Sequence, residues 1–255
     1  SHQRTVWAHR MNALFALGRF GWFCADFVRA TTRRPPPIAR SIEEAWRIGV
    51  RSLPILFIIA CFVGTNLALQ GYMAFEPLGG QHLVGMFVGL AGIRELAPII
   101  AASMVAAKAG TEMASQVAVM RIQEEVDALE VMAVNPHWYL VTPRLLGILL
   151  VLPALTLISM VAMVGSAAAV AVYQLGLNGQ HFTEMVASTM TMAEIGYGVL
   201  KSLLFGTIIC LVSCYCGYYS KPGPEGVGAA TNSAVVCAAV TCVMLNYLVS
   251  EMVYG

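Results

Sequence analysis

Two charged residues stand side by side in an otherwise apolar run, Arg94 and Glu95 in GIRELAPIIAASMV. Ionised groups at the centre of a bilayer cost at least about 2.5–3.5 kcal/mol each on insertion scales, so they are kept where they face a bundle interior or a wet cavity. Adjacent helical residues point about 100° apart, so Glu95 needs a partner other than Arg94. Lys201 and Asn246, each inside another apolar run, are the polar candidates. Pro98 leaves an acceptor open: it has no N–H to give, and its ring crowds the carbonyl of Arg94 four residues back. Such a set of groups can clamp helices together, line a substrate cavity, or pass a proton between Glu95 and Lys201.

A second concentration of charge lies in EEVDALEVMAVNP, where Glu124, Glu125, Asp127 and Glu130 fall within seven residues. From Arg121 to Val134 the residues Val126, Leu129, Met132 and Ala133 make one apolar face and the acids take the rest, which predicts a short amphipathic helix. Asn135-Pro136 is expected to end it. A helix this polar does not insert, and its apolar face is expected to dock, either on a partner or on its own bundle.

Covalent chemistry has no visible site. The glycine-rich KPGPEGVG, Lys221 to Gly228, lacks the Gly-Lys-Ser/Thr of a nucleotide-binding loop. Five histidines are scattered without metal-ligand spacing, and no Ser or Cys sits in a nucleophile elbow. Of the seven cysteines, Cys61, Cys210, Cys214, Cys237 and Cys242 lie in apolar runs and read as small buried hydrophobes. The expectation is a chain with no catalytic residue, no metal and no cofactor of its own.

The elements that hold these residues follow from composition. With 58% hydrophobic and only 11% charged residues, the chain reads as an all-α polytopic membrane protein. A spanning helix needs roughly 20 mostly apolar residues, and five segments qualify: Leu53 to Tyr72, Leu83 to Ala107, Leu145 to Tyr173, Val199 to Tyr218 and Val227 to Val249. The third contains Pro153 and is too short for two crossings, so it is one kinked or tilted helix. Ala106, Gly110, Ala114 and Ala118 form a small-residue ridge suited to close helix packing. Residues 7–29 carry Leu14, Leu17, Gly21, Trp22 and Ala25 on one stripe, which predicts an interfacial helix anchored by Trp7 and Trp22 and stopped by Arg33 to Pro37. The chain is read as one domain, with the interfacial helix and its elbow over 1–40 and the bundle over 41–255.

Basic residues orient the bundle. Nine Arg lie between Arg4 and Arg51, Lys108, Arg121 and Arg144 flank the second loop, and Lys221 sits in the fourth, whereas the other loops contain no Lys or Arg. The expectation is an N-terminus in the cytoplasm and a C-terminus outside.

NLALQGY (Asn66 to Tyr72), RELAPIIAASMVAAKAGTEMASQ (Arg94 to Gln116), MRIQEEVDALEVMAVNPHWYLVTPRLLG (Met120 to Gly147) and GPEGVGAATNSAVV (Gly223 to Val236) resemble the MlaE/YrbE permease family over nearly the whole chain. These are membrane subunits of Mce-associated ABC transporters that move phospholipids and other lipids between the membranes of diderm bacteria. The resemblance implies an inner-membrane location, an interfacial helix, five spans, a short periplasmic helix before the fourth span, and a second permease copy, identical or a paralogue. It also implies a cytoplasmic ABC ATPase that uses ATP and Mg, in some systems a STAS-domain protein, and a periplasmic ring of Mce proteins. Nucleic acid has no place in it.

On this sequence, the segment with Glu124, Glu125, Val126, Asp127, Leu129, Glu130 and Met132 resembles the family's coupling helix. Arg94, Glu95 and Lys201 match charged positions around its lipid pocket, and Leu67, Gln70 and Tyr72 stand at the pocket mouth. Asn246 stands where the family commonly has Asp, which removes a negative charge. A proton-coupled secondary carrier and a non-transporting scaffold are the alternatives. Five spans do not divide into two equal inverted repeats, which disfavours the carrier.

Overall fold

The computed structural model describes residues 18–29 and 37–254. Leu14, Leu17, Trp7 and the stretch Arg33 to Pro36 lie outside the described residues. Among those described there is no strand, and five helical stretches are long and apolar enough to cross a membrane. In chain order the elements are α1 (residues 18–29), α2 (Ile38–Phe75), α3 (Gln81–Ile122), α4 (Glu125–Val131), α5 (Pro136–Tyr173), α6 (Gly179–Thr189), α7 (Met192–Tyr218) and α8 (Pro224–Tyr254).

The spans outrun the hydrophobic segments that predict them. α2 has 38 residues, roughly 57 Å at 1.5 Å per residue, so it projects well past a hydrocarbon core of about 30 Å. α5 starts nine residues before Leu145. Asn135-Pro136 does not merely end α4: Asn135 caps α5 by accepting from His137 N at 2.9 Å and Trp138 N at 3.3 Å, with Pro136 in the first turn. Pro143 and Pro153 both sit inside α5, which remains one helix.

α3 departs from a regular helix twice, at Val88–Leu96 and at Ala106–Gly110, where the backbone bonds five residues back instead of four. The first wide-turn stretch contains Arg94 and Glu95 and ends where Ala97 N–H reaches Gly92 O, just before Pro98. Wide turns of this kind are rare and cluster at functional positions.

α5 is the central post. It packs along α2 and α7, while α7 also packs on α8 and on the last turns of α3. Small residues set the approach: Ala106, Ala114 and Ala118 are all but fully buried, and a Cβ on Gly217 of α7 would lie 2.6 Å from the Ala114 carbonyl of α3. One apolar cluster lies toward the end that carries α1 and α4 and another toward the end that carries α6.

α1 docks through a different face from the stripe read in the sequence. Phe23 and Phe27 are buried, and Phe23 meets Tyr215 and His137 edge-on at 5.7 and 4.9 Å between ring centroids. Gly21, Trp22 and Ala25 point outward. Aromatic contacts reward specific edge-to-face geometry, so the phenylalanines seat on the protein and Trp22 is left exposed.

Candidate functional site

Glu95 is the hub of the polar groups inside the bundle. Its carboxylate accepts from Lys201 Nζ of α7 at 3.2 and 3.3 Å, from Asn246 Nδ2 of α8 at 2.9 Å, and from Ser250 Oγ of α8 at 2.9 and 3.0 Å. Lys201 Nζ also donates to Ser250 Oγ at 2.7 Å and to the carbonyl of Arg94 at 3.2 Å. That carbonyl is the one Pro98 cannot serve. The Lys201 side chain is 1% exposed, against 34% for Glu95 and 24% for Arg94. Arg94 Nε stands 3.9 Å from Glu95 Oε1, at the edge of ion-pair range.

The structure therefore joins Arg94, Glu95, Lys201 and Asn246 in one network across α3, α7 and α8. Ser250 completes it and was not read from the sequence. The available signal was its place four residues after Asn246, one turn along the same helical face. The wide turn around Glu95 also had no local signature beyond Pro98.

An apolar groove of about 400 Å³ is walled by Ile59, Phe62, Val63, Asn66, Leu67 and Gln70 of α2. Leu96, the residue directly after Glu95, closes its far side. Leu67 and Gln70 both line this groove, with Gln70 Nε2 donating to Asn66 Oδ1. Tyr72 does not line the groove; its hydroxyl donates to Glu76 at 3.3 Å.

A wider cavity of about 440 Å³ opens at the α6 end, lined in part by His82 and His181, whose ring centroids are 6.0 Å apart. Those two histidines are separate in sequence and meet only through the fold.

α4 is shorter than the helix read from Arg121 to Val134. The chain turns at Glu124, which adopts a left-handed φ of 58°, and the helix runs Glu125–Val131. Its closing turn has Val134 N bonding Leu129 O at 2.9 Å and Ala133 N bonding Glu130 O at 3.0 Å, with Ala133 also at φ 58°. Val126 and Leu129 are buried against the chain's own bundle, at 0% and 8% exposure. The expected apolar face is therefore divided. Its inner half is already docked, because α4 is too short to be stable without tertiary packing, while Met132 stays exposed together with Val131. Glu124, Glu125, Asp127 and Glu130 all face outward, Asp127 paired with Arg121 at 2.6 Å.

The profile of the family described as "Permease MlaE" matches residues 41–252. A "Probable ABC transporter permease protein" of Rickettsia felis is 35% identical over 94% of this chain and 92% of its own length. A protein of the same description in Rickettsia typhi is 33% identical over 98% and 96%. The Arabidopsis thaliana chloroplast protein Trigalactosyldiacylglycerol 1 is 30% identical over 84% of this chain and 61% of its own. With five helices long and apolar enough to span a membrane, a profile match over residues 41–252 and relatives such as the Rickettsia felis permease along nearly its full length, the chain belongs to the MlaE family of membrane permeases.

Proposed function

We propose that this permease is the membrane half of an ATP-driven transporter of phospholipid or a related lipid between the inner and outer membranes of a diderm bacterium. One observation carries the reading: an apolar groove of about 400 Å³ ends at Leu96, adjacent in the chain to the Glu95 network. A ligand that suits both halves has long hydrocarbon and a polar head, with the chains along Phe62, Val63 and Leu67 and the headgroup near Arg94, Glu95, Lys201 and Asn246. The Arabidopsis relative is itself named for a galactolipid.

The energy comes from a separate cytoplasmic ATPase with its ATP and Mg. That subunit seats on the exposed acids of α4, Glu124, Glu125, Asp127 and Glu130, and on Val131 and Met132. Val126 and Leu129 hold α4 to the permease from the inside. The end carrying α1, α4 and Lys221 faces the cytoplasm and the end carrying α6 faces the periplasm, in line with the distribution of Arg and Lys. A second permease copy, identical or a paralogue, completes the pathway, with a ring of Mce proteins outside and in some assemblies a STAS-domain protein inside.

The test is reconstitution of the chain with its ATPase in vesicles containing a fluorescent phospholipid. ATP should drive lipid movement, and Arg94→Ala or Glu95→Ala should depress it while the complex still assembles. Wild-type transport by both variants would leave the network as a structural clamp and remove the headgroup assignment.

A further inference from the structure

At the α1 and α4 end a smaller cavity of about 190 Å³ opens between α2, the last turns of α3 and the first turns of α5. Its charged wall is Arg40, Glu43, Glu44 and Arg47 of α2 and Arg144 of α5. Arg144 is 6% exposed, yet no carboxylate among the described residues lies within 4.0 Å of its nitrogens. Its Nη1 donates to Leu140 O at 3.0 Å and its Nη2 to Gln116 Oε1 at 3.2 Å, both neutral acceptors; its Nε has no hydrogen-bond partner, and the Cys214 thiol is a further neighbour of the guanidinium.

The neighbouring acids are engaged elsewhere. Glu44 lies 2.5 Å from Arg47, and Glu112 lies 3.3 Å from Arg47 and 3.0 Å from Arg51. A buried cation served only by neutral groups is unfavourable unless an anion joins it. Across the cavity Arg40 is exposed, with its guanidinium carbon 4.4 Å from the centre of the Tyr139 ring. Glu43 stands exposed on the same wall and opposes an anion, but three guanidinium groups face two carboxylates, so one positive charge is left over.

The cavity also borders an exposed apolar stripe. On α2 the stripe next to Arg40, Glu43 and Arg47 is Ile42, Trp46, Val50 and Leu53, all exposed, Trp46 by 73%. In a membrane protein such a stripe lies against the bilayer, and tryptophan marks the headgroup level. The rest of the cavity wall is Tyr139 and the apolar Met120, Leu140 and Pro143.

We propose that this cavity holds the phosphate of an anionic membrane lipid that stays with the protein, separate from the transported one. Arg144 and Arg40 take the phosphate, and Met120, Leu140 and Pro143 cover the glycerol and first methylenes. Guanidinium groups suit this task because their planar donors match phosphate oxygens. The assignment is independent of the transport reading, since it requires only that the chain sits in a bilayer.

The experiment places the full chain in nanodiscs of phosphatidylcholine with a minority of phosphatidylglycerol and counts retained phosphatidylglycerol by native mass spectrometry. Wild type should retain about one per chain, and Arg144→Gln and Arg40→Ala should each weaken retention roughly tenfold or more. Arg40→Ala guards against misfolding by the buried substitution, because Arg40 is exposed. Equal retention by wild type and Arg40→Ala overturns the proposal. Displacement of the lipid by millimolar inorganic phosphate would assign the cavity to a soluble phosphate compound and overturn the lipid source.

Discussion

Lys201 Nζ lies 3.2 Å from Glu95 Oε1, joining α7 to α3 through a lysine whose side chain is 1% exposed. Glu95, Ser250 and the Arg94 carbonyl surround its terminal nitrogen. Its position makes the pair both a structural tie and a candidate part of the lipid site, and the two roles separate by experiment.

Lys201→Met strands the Glu95 carboxylate, and Glu95→Gln strands the ammonium. Each should destabilise the permease toward the low end of about 3–5 kcal/mol, because Glu95 is one-third exposed and can recruit water. The double variant should lose less than the sum by about 0.5–3 kcal/mol. Unfolding of the detergent-solubilised protein measures this. Restored stability without restored transport identifies a binding role; recovery of both leaves only a tie.

On α4 the division between buried and exposed apolar residues makes opposite predictions for neighbours. Leu129→Asp puts a carboxylate into the bundle and should lower the stability of the permease itself. Val131→Asp and Met132→Asp change exposed residues and should leave its melting unchanged while weakening ATPase co-purification about tenfold or more, the loss expected for an apolar side chain removed from an interface. An ATPase that still co-purifies with the Val131→Asp, Met132→Asp double variant must grip elsewhere.

Ala133 occupies the left-handed position of the α4 closing turn, where glycine is the usual residue. A side chain at that φ costs roughly 1–2 kcal/mol. Ala133→Gly should therefore raise stability by about 1 kcal/mol, seen as a higher melting temperature. No rise would mean that α4 relaxes its closing turn.

Gly64 of α2 faces the Met163 carbonyl and Ser166 Oγ of α5 so closely that a Cβ would overlap both. Gly64→Ala should push α2 and α5 apart and cost about 1–3 kcal/mol. Gly165→Ala, with nothing within 4 Å of the new atom, should instead stabilise α5 by about 0.5–1 kcal/mol. Comparable unfolding of both variants would show that α2 and α5 do not meet at Gly64.

Orientation is tested by labelling a chain cleared of native cysteines. A cysteine at Gln180 in α6 should react with a membrane-impermeant thiol reagent from outside, and one at Glu225 at the start of α8 should not. The reverse pattern inverts the bundle and moves α4 away from any cytoplasmic ATPase.

Five apolar runs, the proline and glycine punctuation and the charges inside the spans were legible in the sequence, because a bilayer permits few alternatives to long apolar helices and penalises unpaired charge. For the same reason the union of Glu95 with Lys201 and Asn246 could be anticipated: a carboxylate in that setting must find donors, and few exist. Helix ends were poorly marked, since beyond the hydrocarbon the spans continue in sequence no longer constrained to be apolar, as from Ile38 to Ser52 and from Pro136 to Arg144. Periodicity alone did not tell which apolar stripe meets protein and which meets lipid. Trp22 and Phe23, or Leu129 and Met132, are equally hydrophobic, and only the packing of α1 and α4 on the bundle separates them. The approach of Ser250 to Glu95 and the unpaired burial of Arg144 likewise depend on how helices remote in sequence cross, because hydrogen-bond reach of about 3 Å is decided by tertiary contact and not by spacing along the chain.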